Sequence, residues 1–516
     1  MLWVPVVLPS PGPDTHPNVI LFLVDDMGWS DLGVYGSDIY ETPNIDEFAS
    51  KGVRFTSAYA AGHVCSPTRA SLMTGKYPAR LQLTDWLPGR ASRDTDAVIT
   101  APKAAALALS ERTIAEAFKA HGYRTGIFGK WHLGDGEYGP TNQGFDVHVP
   151  QWNGCCPRGG YHPPYSMSGL TIEGREDEYL TDRLTDFAVE FIREESGKPY
   201  FLYLSHFSVH DPIQGREDLV AKYKEKLSGK AAQSEPAFIL EGNPDDPEPL
   251  TTGQLDALLQ THDGHFGLPN RTVKIKQTQD NVEFAAMVES VDESLGRILG
   301  AVKANGGADD TIIVFYSDNG GMSAANGGGW GKMKAKAKAK NFSLDAAYAT
   351  SNLPLRAGKG WLFEGGIRVP LIVHWPKAGA EGVISDSPVT STDFYPTLLE
   401  MAGLPTAPEQ HVDGVSFTDA LRSKPLEPRS LFWHFPHYSN HGQQSPAGAI
   451  RSGAYKLLEY FENGTTQLFN LNDDPGEQVD LVDLEPERAA GLLAELHAWR
   501  ASVGAAMPTR RNMESD

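Results

Sequence analysis

Two stretches far apart in the chain are written to the same pattern. The run from Asn18 to Val24 (NVILFLV) leads straight into Asp25-Asp26, and the run from Thr311 to Ser317 (TIIVFYS) leads into Asp318-Asn319. An unbroken apolar run of this length, bounded by turn residues or acids, reads as a strand buried on both faces. Strands of that kind sit in a mainly parallel sheet covered by helices. Open sheets of this class place their ligands beyond the carboxyl ends of the strands. Either acidic pair alone reads equally well as helix-capping residues. Two strand ends that each deliver adjacent oxygen donors point instead to one composite site for Ca²⁺ or Mg²⁺.

The rest of the chain fits around such a sheet. Further strands are expected at Val53–Tyr59, Tyr123–Phe128, Pro199–Ser205 and Leu371–His374, and helices at Arg112–Lys119, Glu178–Glu195, Val282–Val302 and Asp393–Met401. The helix from Glu178 places Leu180, Leu184, Phe187, Phe191 and Ile192 at helical spacing. Residues 211–280, rich in charge, Gly and Pro, read as a long surface excursion. Near residue 425 the texture changes to short strands (Ser430–His434, Gly448–Arg451, Tyr455–Tyr460, Thr466–Asn470), followed by an amphipathic helix at Pro486–Val503. At 516 residues the chain is too long for one simple core. The expected fold is α/β: a large mixed, mostly parallel sheet flanked by helices, with a small C-terminal α+β subdomain built on an antiparallel sheet. The expected division is 1–16 as a tail, 17–424 as the catalytic domain and 425–516 as the C-terminal subdomain.

Composition narrows the function. A formal charge of −21 argues against binding nucleic acid or another polyanion over the whole surface, so an anionic substrate must meet a local basic pocket. Three cysteines, two of them the adjacent Cys155 and Cys156, rule out a disulfide framework and leave the redox compartment open. No apolar run is long enough for a membrane span. The stretch Met1–Pro9 is apolar but short, lacks a basic start and contains two prolines, which suits the remnant of a secretory signal or simply a chain end. The alternating Lys332, Lys334, Lys336, Lys338 and Lys340 read as a solvated loop.

Against this frame, Cys65-Ser66-Pro67-Thr68-Arg69 looks like a nucleophile at the mouth of a helix. Ser66 suits an N-cap, Pro67 the first helical position and Gly75 the stop. A cysteine there faces free backbone N–H groups that favour an anion, with Arg69 one turn on; a buried thiol before an ordinary helix is the plain alternative. Lys130 and His132 follow a strand end and are flanked by glycines, and His206 and His210 lie just beyond another. Trp433, His434, His437, Tyr438 and His441 crowd the start of the C-terminal subdomain. They read either as a packed seam or as a rim that stacks on a sugar ring, with His434 and His437 as the expected substrate contacts.

The eleven residues CSPTRASLMTG resemble the signature of type I sulfatases, in which the cysteine is oxidised to the aldehyde formylglycine by a dedicated formylglycine-generating enzyme. VILFLVDDMG, GKWHLG, the SVHDP histidine, YSDNGG, GKG-x-x-x-EGG-x-R-x-P and the late YKL, LFNL and DPGE blocks extend that likeness in order over nearly the whole chain. The resemblance implies a fold of the alkaline phosphatase superfamily and hydrolysis of sulfate esters. It implies that Asp25, Asp26, Asp318, Asn319 and the modified Cys65 bind Ca²⁺, and that Arg69 and Lys130 hold the formylglycine. It makes His132 the base, and places His210 and Lys359 on the sulfate, with His210 donating the proton to the leaving alcohol. His206 matches no catalytic block and is expected to be structural. The insertion between Asn319 and Lys359 departs from the pattern, so Lys359 rests on its GKG context.

The implied chemistry is coherent. One hydroxyl of hydrated formylglycine attacks sulfur, and the second is deprotonated so that collapse to the aldehyde expels sulfate. Rival readings are a phosphate or phosphonate monoester hydrolase of the same superfamily, a phosphoryl transferase with a threonine nucleophile, and a non-catalytic sulfated-glycan-binding protein. The expected substrate is a sulfated carbohydrate, galactose-type 4-sulfates first, handled by a secreted or periplasmic bacterial enzyme.

Overall fold

The structure, a computed structural model, describes residues 16–170, 178–229, 236–261, 268, 271–325 and 348–511. The five lysines of the alternating Lys–Ala stretch lie outside them. Eight strands form the main sheet: β1 (Asn18–Val24), β2 (Val53–Phe55), β3 (Arg124–Gly129), β4 (Val147–Val149), β5 (Tyr200–Ser205), β6 (Thr311–Ser317), β7 (Leu371–His374) and β8 (Val383–Ser385). Their order across the sheet is β8-β2-β7-β6-β1-β5-β3-β4. β1 pairs in parallel with both β6 and β5, whereas β7 runs antiparallel to β6 and β2, so the sheet is mixed and mostly parallel.

The apolar run of β1 has the two-faced burial its sequence demands. Ile20, Phe22 and Val24 pack with helices α1 (Pro43–Ser50), α4 (Leu180–Arg193) and α5 (Val282–Ala304). Val19, Leu21 and Leu23 face the other way, towards α2 (Cys65–Thr74), α3 (Ile114–Ala120) and α6 (Phe394–Met401). Each such side chain contributes about 1.5–3 kcal/mol when fully buried, which holds the central strands, and hence their carboxyl ends, in fixed register. Local signals set the helix limits. Thr113 and Glu116 form a capping box at the start of α3, and Gly75 ends α2 at a left-handed φ of +69°.

The structure corrects three local expectations. Val53–Tyr59 is not one strand: after β2, Ala58–Tyr59 pairs instead with Val389–Thr390. The stretch 211–280 is not plain loop, since it carries helices Glu217–Ser228 and Thr252–Thr261 and a hairpin of Phe238–Glu241 with Val273–Lys276. Cys65, not Pro67, is the first residue of α2, and Ser66 does not cap it. The Ser66 hydroxyl donates to the His132 carbonyl (2.8 Å) and accepts from the Leu87 N–H (3.1 Å), partners that the linear sequence does not reveal. Cys155 and Cys156 are joined in a disulfide between neighbours.

The C-terminal sheet is an antiparallel meander of β9 (Ser430–Phe435), β10 (Ala447–Ser452), β11 (Tyr455–Tyr460) and β12 (Thr466–Asn470). One face, with Ile450, Leu457 and Leu468, is covered by α7 (Pro486–Val503). The other, with Leu431, Trp433 and Leu458, packs on Tyr59, Trp361 and Phe363. The segment that carries Lys359 thus lies against the C-terminal sheet. Among the described residues, no helix is long and apolar enough to cross a membrane.

Candidate active site

Val24 of β1 lies opposite Ser317 of β6, so Asp25-Asp26 and Asp318-Asn319 leave the sheet at the same edge. All four are fully buried. Asp26 turns into a left-handed backbone (φ +62°), which aims its N–H at Asp318 Oδ1 (3.1 Å). Asn319 Nδ2 donates to Asp26 Oδ1 (2.8 Å), while Asn319 Oδ1 is buried without a hydrogen-bond partner. Cys65, at the start of α2, directs its sulfur to Asp25 Oδ1 (3.5 Å). Asp25, Asp26, Cys65 and His210 each offer a ligand atom within 4.8 Å of the others.

Three buried cations surround the thiol. Arg69, one turn along α2, grips Asp318 Oδ2 through Nε (2.9 Å) and is steadied by the Lys130 carbonyl (3.0 Å) and Ser205 Oγ (2.6 Å). Lys130, just past β3, places Nζ 2.6 Å from Asp25 Oδ2. Lys359 reaches Asp26 Oδ1 (2.6 Å) and lies 3.7 Å from Cys65 Sγ. Three carboxylates and three cations thus sit buried together, an arrangement whose desolvation cost the fold must offset elsewhere. Burial works to raise the Asp25 carboxyl, but Lys130, His210 and Arg69 hold it well below the usual range. Asp318 moves the other way, pushed up to about 6 by burial and by Asp25. Burial opposes the charge on Lys359, yet Asp26 holds its pKa above the ordinary lysine value.

The two histidines differ in kind. His132 donates from Nε2 to the Leu87 carbonyl (2.6 Å), which leaves Nδ1 as a buried, unpartnered acceptor. Burial, helped by Lys130, pulls its pKa well below the usual value and keeps it a neutral base. His210 presents Nδ1 to the carboxylate of Asp211 (2.7 Å) and points Nε2 at Asp26 Oδ2 (3.6 Å). Burial disfavours its charge and Lys359 opposes it, but Asp26, Asp211 and Asp25 together hold its pKa well above 6.5. A neutral ring and a protonated ring at one site are the separation that acid and base roles require.

The structure thus gathers Asp25, Asp26, Cys65, Arg69, Lys130, His132, His210, Asp318, Asn319 and Lys359. It does not add His434 and His437 to them. His434 donates to the Ala506 carbonyl (2.9 Å), and His437 meets Thr84 Oγ1 (2.8 Å). Neither has a hydrogen bond or ion pair to the Cys65 group. His206 is buried against Ser294 of α5 (2.9 Å) and Phe22. Sequence reasoning missed Ser205, the last residue of β5, which fixes both Arg69 and, through its carbonyl, the Lys130 N–H (2.7 Å). It also missed Asp211, for which adjacency to His210 was the available signal.

Comparison with known proteins agrees with this geometry. The model of the family described as Sulfatase matches residues 17–404, and that of the N-sulphoglucosamine sulphohydrolase C-terminal region matches residues 357–499. A protein of Formosa agariphila named Sulfatase is 31% identical, with 94% of this chain and 88% of that protein covered. Arylsulfatase A of Bos taurus is 29% identical over 95% of this chain and 89% of its own length. The crystal structure of Ps i-CgsB superposes with a TM-score of 0.68 at 28% identity, covering 94% of this chain and 93% of that one. The same protein has been solved in complex with k-i-k-neocarrahexaose. With the family model spanning most of its length, and with a buried cysteine ringed by cations at the end of its central strands, the chain belongs to the sulfatase family and is a sulfuric ester hydrolase.

Proposed function

We propose that the enzyme removes sulfate from a carbohydrate ester, using formylglycine made from Cys65 and a calcium ion. The observation that carries this reading is the convergence of Arg69, Lys130 and Lys359 on one buried sulfur between three carboxylates. The donor set fits the metal: Asp25, Asp26 and Asp318 offer hard carboxylate oxygens, and buried Asn319 Oδ1 lacks any protein partner. These four residues, with residue 65, would hold the ion. When bound, it would supply positive charge against the sulfate oxygens. The formylglycine hydrate would supply the attacking hydroxyl.

The remaining work falls to the chain's own side chains. Arg69 and Lys130 orient residue 65. Lys359 and His210 bind the sulfate, and the protonated Nε2 of His210 gives its proton to the departing oxygen. The bare Nδ1 of His132 takes a proton from the second hydroxyl of residue 65. The carbohydrate class is supported by the likeness to Ps i-CgsB, which binds a neocarrahexaose, and galactose-type 4-sulfates are our first candidates.

The test is peptide mass analysis of Cys65 alongside turnover of 4-nitrophenyl sulfate, sulfated galactosides and a phosphate monoester. We expect activity on the sulfates in proportion to the aldehyde content at residue 65. Full activity in protein that keeps an unmodified thiol, or a preference for the phosphate ester, overturns the reading.

A further inference from the structure

The histidine-rich loop between β9 and β10 carries one residue whose surroundings differ from those of its neighbours. His441 is only 7% exposed, and neither ring nitrogen has a hydrogen-bond partner on another residue. His63, two residues before Cys65, is alike: buried, with both ring nitrogens unpartnered. Among the described residues no other histidine has both nitrogens buried and unsatisfied. Leaving such groups without partners costs stability, so an unpartnered pair of rings at one place calls for a ligand.

Their position says which ligand. The N–H of Gly360, next to Lys359, donates to the His63 carbonyl (3.0 Å). Gly360 has φ +91°, and a Cβ there would lie 2.0 Å from the His441 carbonyl oxygen and 2.6 Å from its Cβ. The nucleophile segment and the C-terminal loop therefore both lie against the Lys359 segment at Gly360. His441 thus packs, through its backbone and Cβ, on the residue that follows Lys359, the cation next to Cys65. The loop is held in place: Ser439 Oγ donates to the His441 carbonyl, and Gln444 Oε1 accepts from the Leu362 N–H (2.6 Å).

We propose that His441, with His63 behind it, is the hydrogen-bonding wall of a subsite for the sugar hydroxyl next to the sulfate ester. The inference rests on the sulfatase reading above. Burial, and after it Lys359, pull the His441 pKa well below 6.5, so the ring stays neutral. A neutral imidazole offers one donor and one acceptor, which matches a hydroxyl rather than a second sulfate. His441 is a specificity residue in this account, because the sulfate is already served by Lys359 and His210.

The experiment measures kcat and KM of wild type, His441→Ala and His441→Gln on 4-nitrophenyl sulfate, on a sulfated galactoside, and on its analogue lacking the adjacent hydroxyl. His441→Ala should lower kcat/KM on the galactoside about 30-fold, chiefly through KM, and at least about 10-fold more than on the aryl ester. Gln, a neutral donor and acceptor, should recover part of the loss. The deoxy analogue should cost wild type the same factor and the alanine variant little more. Equal losses on both esters, or none on either, overturn the subsite, as does a wild type that hydrolyses the aryl ester but no galactoside. A wild type carrying the aldehyde yet inert on both esters overturns the proposed function instead.

Discussion

The molecule holds two clusters of buried charge, and they are organised for opposite ends. Around Cys65, three carboxylates and three cations sit together, yet Asn319 Oδ1 and His132 Nδ1 remain without partners. Beneath the C-terminal sheet, Lys456 lies between Glu364 (3.0 Å) and Glu477 (2.9 Å), all three fully buried. There each carboxylate oxygen faces a donor group, Glu477 Oε1 meeting Lys456 as an ion pair without hydrogen-bond geometry. The Tyr59 hydroxyl donates to Glu364 Oε2 (2.7 Å), and the Glu364 N–H donates to Glu477 Oε2 (2.6 Å). Arg451 in turn donates to the Tyr59 hydroxyl. Buried charge that serves the fold is closed on itself. Buried charge that serves chemistry keeps donors and acceptors open for a ligand.

The largest effect should come from opening the first cluster. Asp25→Ala or Asp318→Ala should lower turnover by about 10³-fold or more, since each removes charge aimed at the reacting group. Each should also abolish any rise in Tm on adding Ca²⁺, read by thermal unfolding with and without a chelator. A variant that keeps a tenth of wild-type turnover in chelator breaks the distinction between the two clusters.

The second cluster should fail in stability first. Removing one member of a buried, hydrogen-bonded ion group costs about 3–5 kcal/mol, because the others are left uncompensated. Glu364→Gln or Lys456→Met should therefore lower the midpoint of denaturant unfolding markedly. The fraction still folded should keep turnover within roughly tenfold of wild type, far from the loss at Asp25. A stable but inactive Lys456→Met would mean that this cluster also sets the chemistry.

Gly360 ties the Lys359 segment to the C-terminal loop, and its replacement should give a smaller, mixed effect. Alanine there must adopt φ +91° and meet the His441 backbone, a strain of about 1–3 kcal/mol. Because Lys359 precedes it, kcat should fall along with stability, and both are measured on one preparation. A Gly360→Ala protein of wild-type stability would show that the C-terminal loop is not pressed against the Lys359 segment.

What the sequence made legible follows the same divide. β1 and β6 were readable because a two-faced strand needs an unbroken apolar run, and their acids were readable because strand ends are where ligands sit. The motif at Cys65 marked the residue proposed as the nucleophile. The EGG, YKL and DPGE blocks were visible too, but nothing in their spacing says that Glu364, Lys456 and Glu477 meet; only the packing of the second sheet on the first does that. The cap assigned to Ser66 failed for a related reason. Its hydroxyl is taken by His132 and Leu87, and no local rule anticipates a distant carbonyl. The C-terminal histidines share a texture in sequence while their partners lie in other parts of the chain.

Those histidines give the smallest and most discriminating test. His434 is buried beside Phe461, and its Nε2–H is satisfied by the Ala506 carbonyl. Burial pulls its pKa down to about 4. His434→Ala should therefore cost about 1–2 kcal/mol of stability at pH 8, for one hydrogen bond and a modest loss of packing. The pH dependence has a definite sign. Between about 4 and the unfolded value near 6.5, the unfolded chain binds a proton at this site that the native state refuses, so this histidine lowers wild-type stability as pH falls through that window. The alanine variant escapes that penalty, and the gap in Tm between the two proteins should narrow from pH 8 to pH 5. Desulfation of a sulfated galactoside and of 4-nitrophenyl sulfate should change by the same small factor. A selective loss on the galactoside would place His434 with the substrate, as its company in the sequence suggests, and would dissolve the contrast between partnered and unpartnered histidines on which the role of His441 depends.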